Sequence, residues 1–214
     1  MGSLILSGKP NHPLFIMAHG AGAPMDSEWM NNLTEELLKK NIQIGRFDFP
    51  YMQERRASGK KRPPNSTPIL QQAWQEIFES APADVPIFVG GKSMGGRIAS
   101  LMVDQWKTNG LICLGFPFHA PGKPPGDRID HLKLIKTPTL IIQGERDLMG
   151  SKIEVNSYSL SKKIKIHFLT DGDHSFKPRK KSGAELQQHL VEAANEIHKF
   201  MGLRASPSTT RSLI

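Results

Sequence analysis

Short apolar runs alternate along the chain with longer stretches in which apolar positions recur at helical spacing. The apolar runs predict buried strands over residues 13–19, 41–49, 85–89, 110–115, 138–143 and 163–169. The amphipathic stretches predict helices over residues 26–40, 68–80, 95–106, 151–160 and 183–201. Apolar strands that alternate with helices are typical of a mostly parallel sheet with helices on both faces, so we predict an α/β fold.

Two stretches between these elements are rich in proline or charge. Residues 51–66 carry many arginines, lysines and prolines, and residues 116–128 hold four prolines and two glycines, so both are predicted to be loops. The connection 116–137 leaves little room for a large lid, and we expect minimal or no cap. Because no repeat or second-domain boundary is visible, we predict a single domain over residues 1–203 and a disordered, Ser/Thr-rich tail over residues 204–214.

Several residues that can carry chemistry lie at or just past the carboxyl ends of the predicted strands. They are His19, Ser93, Phe116, Asp147 and His174. In parallel α/β sheets functional groups gather at the carboxyl ends of the strands. We therefore interpret these residues as parts of one site.

The stretch Gly91-Lys92-Ser93-Met94-Gly95 fits the G-x-S-x-G nucleophile elbow. A buried strand precedes it and a helical pattern follows it, as this motif requires. The spacing has a steric reason, because a serine on a strained turn above a sheet leaves no room for β-carbons two residues away on either side. The alternative is an ordinary glycine-rich turn between a strand and a helix.

A serine hydroxyl becomes a strong nucleophile only when a base removes its proton, and a carboxylate must orient that base. With this elbow the order along the chain is serine, then Asp or Glu, then histidine. Asp147, in the turn after strand 138–143, is the predicted acid, with Glu145, Asp171 and Asp173 as alternatives. Glu145 comes one residue after the glycine that ends the strand, and the other two are more typical of turns or caps.

His174, between the last predicted strand and the last helix, is the predicted general base. Two other histidines have an open role. His19 can brace the loop after the first strand through a hydrogen bond, and His119 is either structural or a contact for the substrate. We expect surface or satisfied core positions for the remaining histidines, which are His12, His131, His167, His189 and His198.

The oxyanion formed by attack on a carbonyl group needs two backbone N–H donors. Met94, the residue after the serine, supplies one, and the loop after the first strand supplies the other from Ala21 or Gly22. Small residues in that loop permit close approach of the backbone. A plain glycine turn is the alternative interpretation of the loop.

The chain carries 28 Lys and Arg against 20 Asp and Glu, a formal net charge of +8. These residues do not alternate with aromatics as in a single-strand nucleic-acid platform, so we predict no nucleic-acid partner. Solvated surface charge is the default, and attraction of an anionic substrate comes next, with Arg55, Arg56, Lys92 and Arg97 as candidate contacts. Gly90-Gly91-Lys92-Ser93 does not complete a phosphate-binding loop, because Pro86 stands where its first glycine is required.

Other sequence features limit the class of protein. No apolar run approaches membrane-spanning length, and the N-terminus matches neither a signal peptide nor a myristoylation motif. The single cysteine, Cys113, lies in an apolar run, so we predict a buried side chain and a reducing, cytoplasmic compartment. No metal site and no cofactor are predicted, because neither H-E-x-x-H nor a Cys/His cluster is present. No pattern indicates an oligomeric state.

The sequence resembles the α/β hydrolases, and within them the small, nearly capless proteins related to dienelactone hydrolases, in the group that includes testis-expressed protein 30 and a subunit of a histone-acetylating complex. The resemblance spans roughly residues 13–200. The stretches that carry it are His19-Gly-Ala-Gly-Ala23, Arg46-Phe-Asp-Phe-Pro-Tyr51, Gly90-Gly-Lys-Ser-Met-Gly-Gly-Arg97, Phe118-His-Ala-Pro-Gly-Lys-Pro124, Gln143-Gly-Glu-Arg-Asp147 and Gly172-Asp-His-Ser-Phe176. Dienelactone hydrolases use a cysteine nucleophile where this chain has Ser93, so their substrate is not carried over.

The sequence therefore predicts a serine hydrolase that cleaves an ester, thioester or similar acyl bond of a small molecule through a Ser-His-Asp triad and an acyl-enzyme. One alternative is a non-catalytic α/β-hydrolase-like interaction module, which would meet an acidic partner through the basic loop 51–62 and the tail 204–214; some relatives are subunits of complexes. A second alternative is a hydrolase or transferase of phosphorylated or other anionic substrates, suggested by Arg55, Arg56 and Lys92.

Overall fold

The computed structural model describes residues 3–124 and 126–202, except for the side chain of Asp127, so the predicted disordered tail 204–214 lies outside the described residues. A seven-stranded sheet forms its centre, in the order β1-β3-β2-β4-β5-β6-β7. Its strands are β1 (Ile5–Ser7), β2 (Leu14–Ala18), β3 (Gln43–Phe47), β4 (Ile87–Lys92), β5 (Gly110–Leu114), β6 (Thr139–Gly144) and β7 (Ile164–Leu169). All neighbouring strands are parallel except β1, which pairs antiparallel with β3. The predicted α/β hydrolase fold, a mostly parallel sheet flanked by helices, is confirmed.

Helices cover both faces of the sheet. They are α1 (Glu28–Leu38), α2 (Pro50–Ser58), α3 (Thr67–Glu79), α4 (Met94–Ser100), α5 (Asp130–Leu134), α6 (Lys152–Ser157) and α7 (Leu186–Gly202). Short 3-10 turns span Val103–Gln105, Gly126–Ile129 and Lys180–Ser182. None of the helices in the described ranges is both long and apolar enough to cross a membrane.

The core consists of two layers, one on each face of the sheet. Successive residues of a strand point to opposite faces, so in β2 Phe15 and Met17 join one layer while Leu14 and Ile16 join the other. The apolar faces of α1 and α7 complete the first layer, and α3 and α4 pack on the second. The central strands β2, β4, β5 and β6 are largely apolar because both of their faces are covered.

The structure corrects the prediction that residues 51–66 form a loop, since α2 occupies Pro50–Ser58. Pro50 stands at the start of the helix, where a missing N–H costs nothing and the fixed φ is already helical. The helix ends at Gly59, whose φ is +69° and whose N–H donates to the carbonyl of Arg55. Charge and proline content therefore misled the prediction, because the prolines at 63 and 64 lie beyond the end of the helix.

Two further elements differ from expectation. Helix α4 ends at Ser100, and a 3-10 turn replaces the predicted continuation to Trp106. Strand β1 was not predicted; it is short and lies at the edge of the sheet, where its side chains are partly exposed. The connection between β5 and β6 contains a 3-10 turn and the short helix α5 within the described residues.

Candidate active site

Ser93 lies between β4 and α4 with φ +49° and ψ −115°, a conformation that non-glycine residues adopt rarely. The glycines two residues away on either side are required by contact with the backbone at the end of β2. A β-carbon on Gly91 would lie 2.1 Å from the Ala18 carbonyl oxygen, and one on Gly95 would lie 2.6 Å from the same atom. The local geometry is therefore that of a strained elbow packed directly against its neighbouring strand.

The structure brings Ser93, His174 and Asp147 together although they are far apart in the sequence. His174 Nε2 lies 2.9 Å from Ser93 Oγ, and His174 Nδ1 lies 2.7 Å from Asp147 Oδ2. Asp147 is fully buried, whereas the His174 side chain keeps about a quarter of its surface exposed, at 24%. A carboxylate, an imidazole and a hydroxyl thus form one chain of hydrogen bonds that ends at the elbow.

The Asp147 carboxylate is fixed from two directions. Its Oδ1 accepts the N–H of Met149 at 2.8 Å, and its Oδ2 accepts the side-chain amide of Gln143 at 2.9 Å. Gln143 is itself buried in β6, and it also bonds both backbone groups of Phe116 and the carbonyl of Gly150. The carboxylate therefore has little freedom to turn away from His174.

The alternative acids take part in other contacts. Glu145 pairs with Lys152, and its second oxygen accepts the N–H of Asp171. Asp171 pairs with Arg179 and Arg146, and the hydrogen bond from Arg179 contributes most to holding the pKa of its carboxyl down at about 2. Asp173 accepts the N–H groups of Ser175 and Lys177 and so closes the turn that carries His174.

His19 and His119 both occupy structural positions. His19 donates from Nδ1 to the Gly20 carbonyl at 2.7 Å, as expected of a residue that braces this loop. His119 is buried, with Nδ1 2.9 Å from the Ala120 carbonyl and Nε2 3.4 Å from the Glu154 carboxylate, and it does not line the cavity beside Ser93. Of the two roles left open for His119, these contacts favour the structural one.

A cavity of about 460 Å³ opens beside Ser93, and most of its wall is apolar. Its lining combines the loop after β2, the first turns of α1 and the loop that carries His174. The lining residues are Gly20, Ala21, Gly22, Ala23, Ser27, Trp29, Met30, Lys92, Ser93, Met149, His174 and Ser175. Ala21 and Gly22 thus lie in the same cavity as Ser93, and Met94 begins α4 directly after it.

Lys92 connects the elbow to the loop of His174. Its Nζ lies 2.5 Å from the His174 carbonyl oxygen and 5.5 and 5.6 Å from the ring centres of Trp29 and Phe176. Burial lowers the pKa of Lys92 to about 8, although the charges of Asp147 and Asp173 oppose that shift. Its ammonium group is therefore a partly desolvated cation beside Ser93.

The other basic candidates lie outside this cavity. Arg56 pairs with Asp26 and Asp48, and Arg55 stands beside it on α2 without lining the cavity. Arg97 is partly buried on α4 and does not line the cavity either. Among the residues that the structure describes, no group of three or more His, Cys, Asp or Glu is arranged to hold a metal ion.

Sequence reasoning assigned no role to Gln143, Trp29 or Tyr51. Gln143 is the one polar residue at the end of an otherwise apolar strand pattern, which was a usable signal because a buried amide must find partners. Trp29 Nε1 donates to the Ser175 carbonyl at 3.0 Å, and Tyr51 contacts the loop after β2. Those two contacts join distant parts of the chain, so no local sequence pattern predicts them.

Comparison with known proteins gives the same fold. A dienelactone hydrolase from Anabaena variabilis superposes with a TM-score of 0.71 at 18% identity, covering 95% of this chain and 91% of that one. Est1E from Butyrivibrio proteoclasticus, bound to ferulic acid, gives 0.69 at 15% identity and 96% coverage of both chains. A serine hydrolase without a lid from Xanthomonas campestris gives 0.65 at 15% identity, covering 97% and 91%.

These identities are low, so the superpositions speak for the fold alone. The sequence model of the alpha/beta hydrolase domain family matches residues 11–202, which is most of the chain. The matched range includes the elbow at Ser93 and both residues hydrogen-bonded in series with it. This chain belongs to the alpha/beta hydrolase domain family.

Proposed function

We propose that this protein is a serine hydrolase that cleaves an ester, thioester or similar acyl bond through Ser93, His174 and Asp147. The observation that carries the proposal is the unbroken series of hydrogen bonds from Asp147 through His174 to Ser93, at 2.7 and 2.9 Å. Membership of a hydrolase family supports the general activity. A pure scaffold has no physical need for all three groups in this arrangement.

The first half of the reaction acylates the serine. Ser93 Oγ attacks the carbonyl carbon of the substrate while His174 Nε2 takes the hydroxyl proton. The carbonyl oxygen becomes an oxyanion, which accepts hydrogen bonds from the N–H groups of Met94 and of Ala21 or Gly22. Collapse of this tetrahedral species breaks the bond to the alcohol or thiol, which leaves with the proton from His174.

The second half returns the enzyme to its starting state. His174 removes a proton from a water molecule, whose oxygen attacks the acyl group on Ser93. The same N–H groups hold the second oxyanion, and collapse releases the carboxylic acid while the proton returns to Ser93 Oγ. Throughout, Asp147 accepts the Nδ1–H of His174, which keeps the Nε2 lone pair directed at Ser93 and stabilises the imidazolium.

The cavity supports a small substrate with an apolar acyl group. Its mostly apolar wall favours hydrocarbon, and Lys92 supplies one cation close to the nucleophile. We therefore propose a neutral or singly anionic acyl compound, with Lys92 rather than Arg55 as the contact for a negative charge. Raising the ionic strength should increase KM for an anionic ester and leave KM for a neutral ester unchanged.

We also propose that the protein is related, within its family, to the small group that includes testis-expressed protein 30. The support is the lysine before the nucleophile and the stretch Phe118-His-Ala-Pro-Gly-Lys-Pro124. Because some members of that group are subunits of complexes, a non-catalytic interaction module is the competing function. The same experiment separates the two.

The test is labelling of the folded protein with a fluorophosphonate probe, which reacts with activated serines. Wild type is compared with Ser93→Ala and with Ser100→Ala as a matched control, since Ser100 Oγ also lies 2.8 Å from a histidine, His131. We expect labelling of wild type and of Ser100→Ala and none of Ser93→Ala. No labelling of wild type would favour the interaction module, and a pull-down from cell extract would then be the next step.

A further inference from the structure

The carbonyl groups of Gly20 and Ala21 point toward the same side of the loop after β2. The Tyr51 hydroxyl oxygen lies 3.0 Å from the Ala21 carbonyl oxygen and 3.3 Å from that of Gly20. His19 Nδ1 lies 2.7 Å from the Gly20 oxygen. A hydroxyl donates one hydrogen, so His19 holds the first carbonyl and Tyr51 holds the second.

Fixing these carbonyls also fixes the N–H groups that follow them. In a trans peptide the C=O and the N–H of one unit point in opposite directions. The N–H groups of Ala21 and Gly22 therefore point away from the Tyr51 hydroxyl, and both residues line the cavity that contains Ser93. Within the described part of the chain, neither of these N–H groups donates to another backbone carbonyl.

The surroundings of Tyr51 hold its hydroxyl in one position against the loop after β2. Its side chain is 1% exposed, and its own N–H donates to Asn65 Oδ1 at 2.8 Å. Burial raises the pKa of the Tyr51 phenol, which keeps the hydroxyl protonated and able to donate. The centre of its ring lies 5.8 Å from that of His19, so the two donor side chains also pack against each other.

His19 is held as the tautomer that donates to the Gly20 carbonyl. Its Nε2 accepts the N–H of Phe49 at 3.1 Å, so the ring proton must sit on Nδ1 and face the Gly20 carbonyl. Burial lowers the pKa of His19 despite the carboxylate of Asp48, which lies 3.6 Å from Nε2, and the ring therefore stays neutral. Neither donor depends on the presence of substrate.

We propose that Tyr51 is a positioning residue for the oxyanion hole, which turns the Ala21–Gly22 peptide so that its N–H faces the oxygen of the tetrahedral intermediate. The inference rests on the proposed hydrolase function. Tyr51 touches no substrate atom; it acts through the Ala21 carbonyl. Since the Gly22 N–H bonds the charged oxyanion more strongly than the uncharged carbonyl of the bound substrate, loss of its alignment should affect kcat and leave KM largely unchanged.

The chain has only two tyrosines, which provides a matched pair of variants. Tyr51→Phe removes the hydroxyl and keeps the ring, and Tyr158→Phe does the same at a tyrosine outside the cavity lining. With nitrophenyl acetate we expect Tyr51→Phe to lower kcat about tenfold with KM within about twofold, and to weaken binding of a boronic acid, which forms a tetrahedral adduct on serine, by a similar factor. Tyr158→Phe should match wild type in all three quantities.

The two proposals fail in different ways. If wild type has no activity above that of Ser93→Ala, the proposed function is wrong. If wild type is active and Ser93→Ala is not, but Tyr51→Phe equals Tyr158→Phe in kcat and boronic acid affinity, only the role of Tyr51 is wrong. A loss of kcat in Tyr51→Phe without weaker boronic acid binding would also overturn that role.

A second measurement avoids any loss of folding in Tyr51→Phe. Growth of Tyr158→Phe on 3-fluorotyrosine places a single fluorine in the protein, at Tyr51. We expect its fluorine NMR signal to shift when the boronic acid is added, and to stay unchanged in the same protein carrying Ser93→Ala. A signal that does not respond to the adduct would overturn the proposal.

Discussion

The ammonium nitrogen of Lys92 lies 2.5 Å from the carbonyl oxygen of His174. Lys92, which directly precedes Ser93, thus holds the loop that carries His174. Two further side chains bond the next two carbonyls of this loop, Trp29 that of Ser175 and His189 that of Phe176, at 3.0 and 2.6 Å. The position of His174 therefore depends on contacts from β4, α1 and α7 together.

Replacing Lys92 by methionine should lower kcat about tenfold for a neutral ester, with KM within about twofold. The methionine keeps an apolar stem between the rings but removes the donor to the His174 carbonyl, so the base is held less precisely. Lys152→Met is the matched control, because Lys152 also stands over an aromatic ring but outside the cavity. An unchanged kcat for the neutral ester would mean that Lys92 does not position the loop, whatever its effect on KM for carboxylate-bearing esters.

The stability contributed by Lys92 should rise with pH above about 8. The pKa of Lys92 is about 8 in the folded protein against an ordinary value of 10.5, so between these values the unfolded chain binds more protons than the folded one. Stability then increases with pH across this window, by on the order of 1 kcal/mol for a partly exposed side chain. Urea unfolding of wild type and Lys92→Met at pH 7.5 and 10 measures this effect. The free energy of unfolding of wild type minus that of Lys92→Met should be larger at pH 10, and an equal or smaller value there would contradict the expectation.

Gln143→Leu should destabilise the protein by about 2–4 kcal/mol and reduce kcat. The leucine fits the volume but leaves the buried N–H of Phe116 without its acceptor, and it removes one donor each from the Phe116 carbonyl and from Asp147 Oδ2. Chemical denaturation measures the loss, and Gln72→Leu on the exposed face of α3 serves as the control, within about 0.5 kcal/mol of wild type. Equal stability of the two variants would show that Gln143 is not needed to hold Asp147.

Gly95→Ala should cost about 2–3 kcal/mol or more of folding free energy and abolish labelling of Ser93. The added methyl group would lie 2.6 Å from the Ala18 carbonyl oxygen and 2.7 Å from that of His19, so the elbow must move away from β2. Gly202→Ala, where nothing lies within 4 Å of the new carbon, is the control and should fall within about 0.5 kcal/mol of wild type. A fully labelled, stable Gly95→Ala protein would show that the elbow is less constrained than the contacts indicate.

Helices and strands were predictable where their buried apolar residues recur at regular spacing in the sequence. Strands buried on both faces appear as apolar runs, and α7 repeats its apolar residues at helical spacing. Prediction from this spacing failed at α2, because most of its residues are polar and solvated and only Pro50 and Gly59 indicate where the helix begins and ends. It also failed at β1, whose three residues are paired by the partner strand and not by any periodicity of their own.

The sequence by itself identified Ser93 as the candidate nucleophile and explained the glycines at the elbow, because an elbow depends on steric demands within a few residues. The candidate acid and base, Asp147 and His174, followed from their order along the chain after Ser93. Tertiary structure decided which contacts hold the site. Gln143 bonds Asp147, Lys92 bonds the loop of His174, and Tyr51 bonds Ala21. Strand order and register bring these residues together at the carboxyl ends of the strands. A hydrogen bond between distant segments requires only two complementary groups at the correct distance, and that distance exists only after the chain has folded.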